Sequence, residues 1–221
     1  MTRRIPLNER TLPRYSVGEE RMNMITHMVG TLLGILVLVL CLLRASTAAE
    51  YIGSLVFGCT MIGLYTISSI YHGLKPSTGK KVMQVIDHCA IYFLISGTYT
   101  PILLSAFLPV YPGIAWGLLA AQWGLCITAA TLTAIDLKKY RVFSMFCYIC
   151  MGWSIILFPG KCMQVMTTSG FGLLLAGGIV YTIGAILYGL GSKRKWFHSV
   201  FHIFVLGGSL LQFLSILLYV L

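Results

Sequence analysis

The stretch KRKWFHSVFHIFVLGGSLLQFLSILLYV, residues 193–220, opens on three bases and then runs apolar to its end, with two histidines, His198 and His202, near its head. An α-helix rises ~1.5 Å per residue, so ~20 apolar residues cross the ~30 Å hydrocarbon layer of a bilayer. Residues 197–220 are therefore expected to span a membrane, with the bases holding one end at a polar face.

Six further runs of this kind lie upstream, near 24–43, 51–71, 84–108, 113–135, 142–158 and 170–190, the fifth being the shortest. The chain of 221 residues is 57% hydrophobic and only 10% charged, where a soluble domain carries about 25% charged residues. The expected fold is an all-α integral membrane protein, a seven-transmembrane-helix bundle. Residues 1–23 form a basic tail and 24–221 a single transmembrane domain. With so little chain outside the apolar runs, any chemistry belongs inside the bundle.

The +10 net charge is topological rather than a signature of nucleic-acid binding. Arg3, Arg4, Arg10, Arg14 and Arg21 stand in the amino-terminal segment. Lys75, Lys80 and Lys81, then Lys138, Lys139 and Arg141, then Lys193, Arg194 and Lys195 mark the even-numbered connectors. Only Arg44 and Lys161 fall on the other side. By the positive-inside rule, the amino terminus is cytoplasmic and the carboxyl terminus extracytoplasmic, in a cell (inner) membrane. The first run, with a long polar segment before it, reads as a retained helix rather than a cleaved signal.

The seven cysteines are odd in number and sit in or beside apolar runs, so no disulfide framework is implied. Cys147 and Cys150 form a lone CxxC, which reads as packing. Gly30 and Gly34 form a GxxxG suited to close helix approach, and Pro101 is expected to kink or interrupt the third helix.

With topology set, depth follows from distance to the nearest basic connector. His72, Asp87, His198 and His202 all fall ~5–10 Å inside the cytoplasmic ends of helices 2, 3 and 7. His27 and His88 share that layer, so all five histidines of the chain occupy one end. Asp87 is the one acidic residue inside the expected apolar runs, and such a group pairs with something in the bundle interior. His198 and His202, at i and i+4, share a face that continues through Val205, Ser209 and Gln212. On helix 2 the matching stripe is Met61, Tyr65, Ser68 and His72; on helix 1 it is Asn23, His27, Gly30 and Gly34.

Three imidazoles suit Zn²⁺, which in catalytic sites takes three protein ligands plus water. His72, His198 and His202 are the expected ligands. Asp87 is open to serve as a fourth ligand, but the favoured expectation is that it holds the zinc-bound water and takes its proton, and that Ser68, one turn from His72, hydrogen-bonds an oxygen of substrate or water. His27 and His88 read as interfacial or packing groups.

The segments EERMNMITHMVG (19–30), SSIYHGL (68–74), DHCAIYFLISGTYTP (87–101) and FHSVFHIFVLGGS (197–209) resemble, in order and spacing, the bacterial hemolysin III branch of the progestin and adipoQ receptor (adiponectin receptor-like) superfamily. The resemblance implies seven helices, a cytoplasmic amino terminus and zinc bound by His72, His198 and His202. Asp87 matches an aspartate linked to zinc through water and Ser68 the motif serine. Proteins of the wider superfamily look like lipid amide hydrolases, ceramidases among them. Gln212 departs from the pattern, since relatives often carry histidine there.

Three functions follow as expectations: a zinc-dependent hydrolase of a lipid amide or ester, a zinc-stabilised membrane sensor or regulator, and, after the family name, a pore-forming cytolysin. The chain shows no refolding amphipathic hairpin of the kind lysis needs. A G-protein-coupled receptor would have its amino terminus outside, and a retinal protein needs a lysine deep in the last helix, which holds none. An ion carrier would need charge continuing through the outer half, where Asp87 has no partner. Membrane lipid is the expected partner; neither nucleic acid nor a soluble protein partner is implied.

Overall fold

The structure is a computed structural model that describes residues 7–190 and 194–221; Arg3, Arg4 and Lys193, which entered the charge count, lie outside the described residues. Every regular element described is helical: α1 Val17–Arg44, α2 Ala48–Gly73, α3 Thr78–Pro101, α4 Pro112–Ile135, α5 Arg141–Trp153, α6 Pro159–Leu190 and α7 Phe197–Tyr219. All but α5 are long and apolar enough to cross a bilayer, α3 with its continuation to Phe107. The chain is a multi-pass membrane protein.

The helix starts are written in side chains. Ser16 accepts from the Glu19 amide while Glu19 reaches back to the Ser16 amide, a capping box that begins α1 seven residues ahead of the apolar run at 24. Thr47 and Glu50 do the same for α2, and Ser77 caps α3. Pro112 stands in the first turn of α4, where its missing N–H is no loss.

Pro101 does not stop the third helix. The chain continues through a π-helical turn, Ile102–Phe107, in which the Leu108 amide reaches back to the Leu103 carbonyl. A proline removes one ladder bond, and the slack is taken up by widening the next turn. The sixth run also differs from a single helix: Met166 and Thr167 break α6, with Thr167 at φ 63°. α6 begins at Pro159, ahead of the expected residue 170. The fifth run is covered by α5 and a tight 3₁₀ continuation, Ser154–Leu157.

In the bundle α1 lies against α2 and α7, α2 against α3, α3 against α4, and α6 against α7. α3 is the most enclosed span. The GxxxG glycines permit the α1–α2 approach: a Cβ on Gly30 would stand 2.4 Å from the Tyr65 ring, and one on Gly34 3.1 Å from the Ile62 backbone nitrogen. Cys147 packs in a buried cluster with Tyr92, Cys126 and Met151, and all seven cysteines are free.

The two ends differ. At one, Arg10 donates to the Ile135 carbonyl, Glu19 accepts from the Trp196 amide, and Lys80 bonds Glu20, so the amino-terminal segment and the basic connectors meet. At the other, Lys161 stands over the Tyr111 ring and Tyr111 bonds Gln164.

Candidate metal centre

His72 comes from the last turn of α2; His198 and His202 come from the first two turns of α7. Their Nε2 atoms converge: His198 Nε2 is 3.3 Å from His72 Nε2 and 3.1 Å from His202 Nε2. One nitrogen from each ring lies within 4.8 Å of the other two. Tetrahedral zinc with Zn–N of ~2.0–2.1 Å places two ligand nitrogens about 3.3 Å apart, so the donor set fits a divalent ion of that kind. His72 and His202 are each 2% exposed. Three neutral imidazoles with facing lone pairs repel one another unless a proton or a cation lies between them, which makes this cluster able to hold a metal ion.

The opposite ring nitrogens are held from α1. His72 Nδ1–H donates to Glu20 Oε2 at 2.7 Å, and His202 Nδ1–H donates to the Asn23 carbonyl at 3.3 Å. This is the tautomer that leaves Nε2 free to ligate. Asn23 Oδ1 also accepts from the Ser199 hydroxyl at 2.6 Å, tying α1 to α7 beside the site. Lys80 Nζ, only 3% exposed, donates to Glu20 Oε1 and to the Leu74 carbonyl. His198 is placed differently, by the Tyr15 ring stacked on it at 4.9 Å and 17°. Tyr15 lies just before α1. Burial pushes its phenol above the ordinary tyrosine range, and Tyr188, Glu20, Asp87 and Glu19 add to that shift.

Glu19 sets the start of α7. Trp196, at φ 68°, turns the chain into the helix, and its amide donates to Glu19 Oε1 at 2.7 Å. One turn of α1 thus anchors the α7 end that carries two of the three imidazoles.

Asp87 lies outside the group of converging donors. Its carboxylate is 3.5 Å from His88 Nδ1. His88 turns to its own helix, with Nδ1 donating to the Gln84 carbonyl at 2.8 Å. Ser68 is buried one turn before His72. His27 is buried and stacks on His202 at 3.7 Å and 12°, with neither ring nitrogen hydrogen-bonded, and it is not among the converging donors. Gln212 packs against Gly177 of α6.

Sequence reasoning passed over Glu20, Lys80 and Tyr15. Glu20 stands ahead of the apolar run and reads as tail; the signal that places it in a helix is the Ser16–Glu19 capping box.

A profile of the family described as Haemolysin-III related matches residues 15–213. The chain belongs to the haemolysin-III-related family. It is similar to the hemolysin-3 of Bacillus cereus, 39% identical over 93% of each chain, and to a hemolysin-3 homolog of Bacillus subtilis (strain 168), 35% identical over 93% of this chain and 96% of the relative. It is also similar to the human monocyte to macrophage differentiation factor, 24% identical over 98% of this chain and 90% of the relative. This haemolysin-III-related chain is more distantly similar to an adiponectin receptor protein of Drosophila melanogaster, 24% identical over 90% of this chain and 50% of the relative, in keeping with the wider adiponectin receptor-like superfamily.

Proposed function

We propose that the chain is a seven-span protein of the cell (inner) membrane, with its amino terminus in the cytoplasm, and a zinc-dependent hydrolase of a lipid amide or ester drawn from the inner leaflet. The convergence of the His72, His198 and His202 Nε2 atoms carries this reading. It stands at the end of the bundle where the basic segments meet, which is the cytoplasmic end by the positive-inside rule. The seventh span is supported by α5 with its 3₁₀ continuation: thirteen residues at ~1.5 Å and four at ~2.0 Å reach roughly 28 Å, near the ~30 Å of the hydrocarbon layer.

Zinc held by these nitrogens would supply a Lewis acid for an acyl carbonyl and bring the pKa of a water toward neutrality. In this reading Asp87 receives a proton at its carboxylate and returns it to the leaving group. The Ser68 hydroxyl donates to the carbonyl oxygen, and the Tyr15 ring covers His198 and keeps bulk water off the cytoplasmic side. The acyl chain rests on apolar helix faces between the spans.

The test is purified, zinc-loaded protein in lipid nanodiscs offered a panel of lipid amides and esters, including ceramides. Release of free fatty acid that Asp87→Asn abolishes, with metal content unchanged, is the expected result. A fully metallated protein that leaves the panel intact refutes the hydrolase. Cysteines placed at Lys139 and Lys161 test the topology, since an impermeant maleimide should label only the second from outside intact cells.

A second reading has its own support. The three donors tie α2 to α7, reinforcing the link made by Tyr65, whose hydroxyl meets Ser209 at 2.7 Å. A metal placed there would stiffen the bundle, as a non-enzymatic sensor or regulator of the membrane requires. Asp87→Asn would leave such a protein active.

A further inference from the structure

Glu20 stands at the crossing of three helices. Oε2 accepts from His72 Nδ1 at 2.7 Å and Oε1 from Lys80 Nζ at 2.7 Å, so both carboxylate oxygens are engaged across 52 and 60 residues of sequence. Asn23, one turn on, presents its carbonyl to His202 Nδ1. Without an acceptor at Nδ1, a neutral imidazole is free to carry its proton on Nε2, and a protonated Nε2 cannot ligate. The two α1 residues therefore select the ligating form of two of the three rings. A carboxylate at Nδ1 also raises the electron density at Nε2 and fixes the ring's rotation.

Lys80 completes the arrangement. The Glu20 side chain is 21% exposed, and a carboxylate so far withdrawn from water with only an imidazole for company is costly. The ammonium, itself buried and stacked over Tyr71 at 5.2 Å, balances the charge and pins the Oε1 side. A salt bridge made only to join α1 to α3 would need one carboxylate oxygen; here the other is aimed at the ring edge opposite the converging nitrogens.

We infer that Glu20 is a positioning residue for the metal centre, holding His72 in its ligating tautomer and orientation with Lys80 as its counter-ion, while Asn23 serves His202 in the same way. The inference rests on the reading of the His72, His198 and His202 cluster as a metal site. Glu20 touches no reacting atom; it acts through His72.

The test measures metal affinity and the ligand field rather than turnover. Wild-type, E20Q, E20A and K80A proteins are purified in detergent, stripped, and titrated with zinc against a competing chelator; a parallel set is loaded with Co²⁺ for its visible absorption. Affinity is expected to fall 10- to 100-fold in E20A, the usual cost of losing such a partner. E20Q, which keeps an acceptor oxygen but not the charge, should fall between it and wild type. The cobalt bands should shift in E20A. K80A should lower the melting temperature of the metal-free protein and lower zinc affinity less than E20A does.

Wild-type affinity and cobalt spectra in both Glu20 variants overturn the inference. Should E20A fail to fold, E20Q decides: affinity within twofold of wild type and unchanged cobalt bands overturn it. Wild-type protein that binds no zinc would instead remove the reading beneath it and the inference with it.

Discussion

Replacing Gly30 by alanine tests the approach of α1 to α2 with one carbon atom. The added Cβ would stand 2.4, 2.6 and 2.7 Å from Cδ1, Cγ and Cε1 of Tyr65. Carbon atoms in contact lie ~3.5–4.0 Å apart, so about 1 Å must open between the helices. The ring cannot swing away at no cost, because Tyr65 is fully enclosed and its hydroxyl is held by Ser209 at 2.7 Å. Overpacking of this kind costs ~1–3 kcal/mol, and losing the hydroxyl's bond adds about 1 kcal/mol. A total of about 2–4 kcal/mol is expected in equilibrium unfolding in mixed micelles, followed by circular dichroism. Two neighbours calibrate the result. Gly34→Ala meets Ile62 at 3.0 Å and should cost less, whereas Gly63→Ala meets nothing within 4 Å and should be neutral or slightly stabilising. A Gly30→Ala protein as stable as Gly63→Ala would refute the packing argument.

Alanine at His72, His198 or His202 should each remove most of the bound metal, by elemental analysis of purified protein, while His88→Ala should leave it in place. Tyr15→Phe keeps the ring on His198 and should preserve zinc affinity; Tyr15→Ala should weaken it several-fold in the same chelator competition. Glu19→Ala strips a cap from α1 and the acceptor from the Trp196 amide. Removing a capping group costs ~1 kcal/mol, so a fall of about 1–2 kcal/mol is expected in the same unfolding assay.

The spans are legible in the sequence because hydropathy adds over ~20 residues and few local choices can mask it. What hydropathy does not carry is less legible. The polar first turns of α1 are invisible to it, and the Ser16–Glu19 box is the one local sign that the helix begins early. Pro101 announces a disturbance without saying which kind; a π turn, a kink and a stop are all open to a residue that lacks a donor. The break at Met166 and Thr167 has no glycine or proline at either position to mark it. The histidine cluster is legible because depth is counted from charged connectors and because i, i+4 spacing puts His198 and His202 on one face. Glu20 is not: its two partners lie 52 and 60 residues away, and nothing local to it specifies either.

The link between Glu19 and the Trp196 amide spans 177 residues, and that between Asn23 and His202 spans 179. α1 therefore leaves the ribosome with half of a clasp whose other half, at the start of α7, is made 177 residues later. At ~5–20 residues per second, the wait is on the order of 10–35 s. Once α2 has followed, His72 has Glu20 for company but lacks the two rings of α7. A nascent chain is thus kept from bringing the three histidines together until α7 is in place, and a chain truncated before residue 197 never does so.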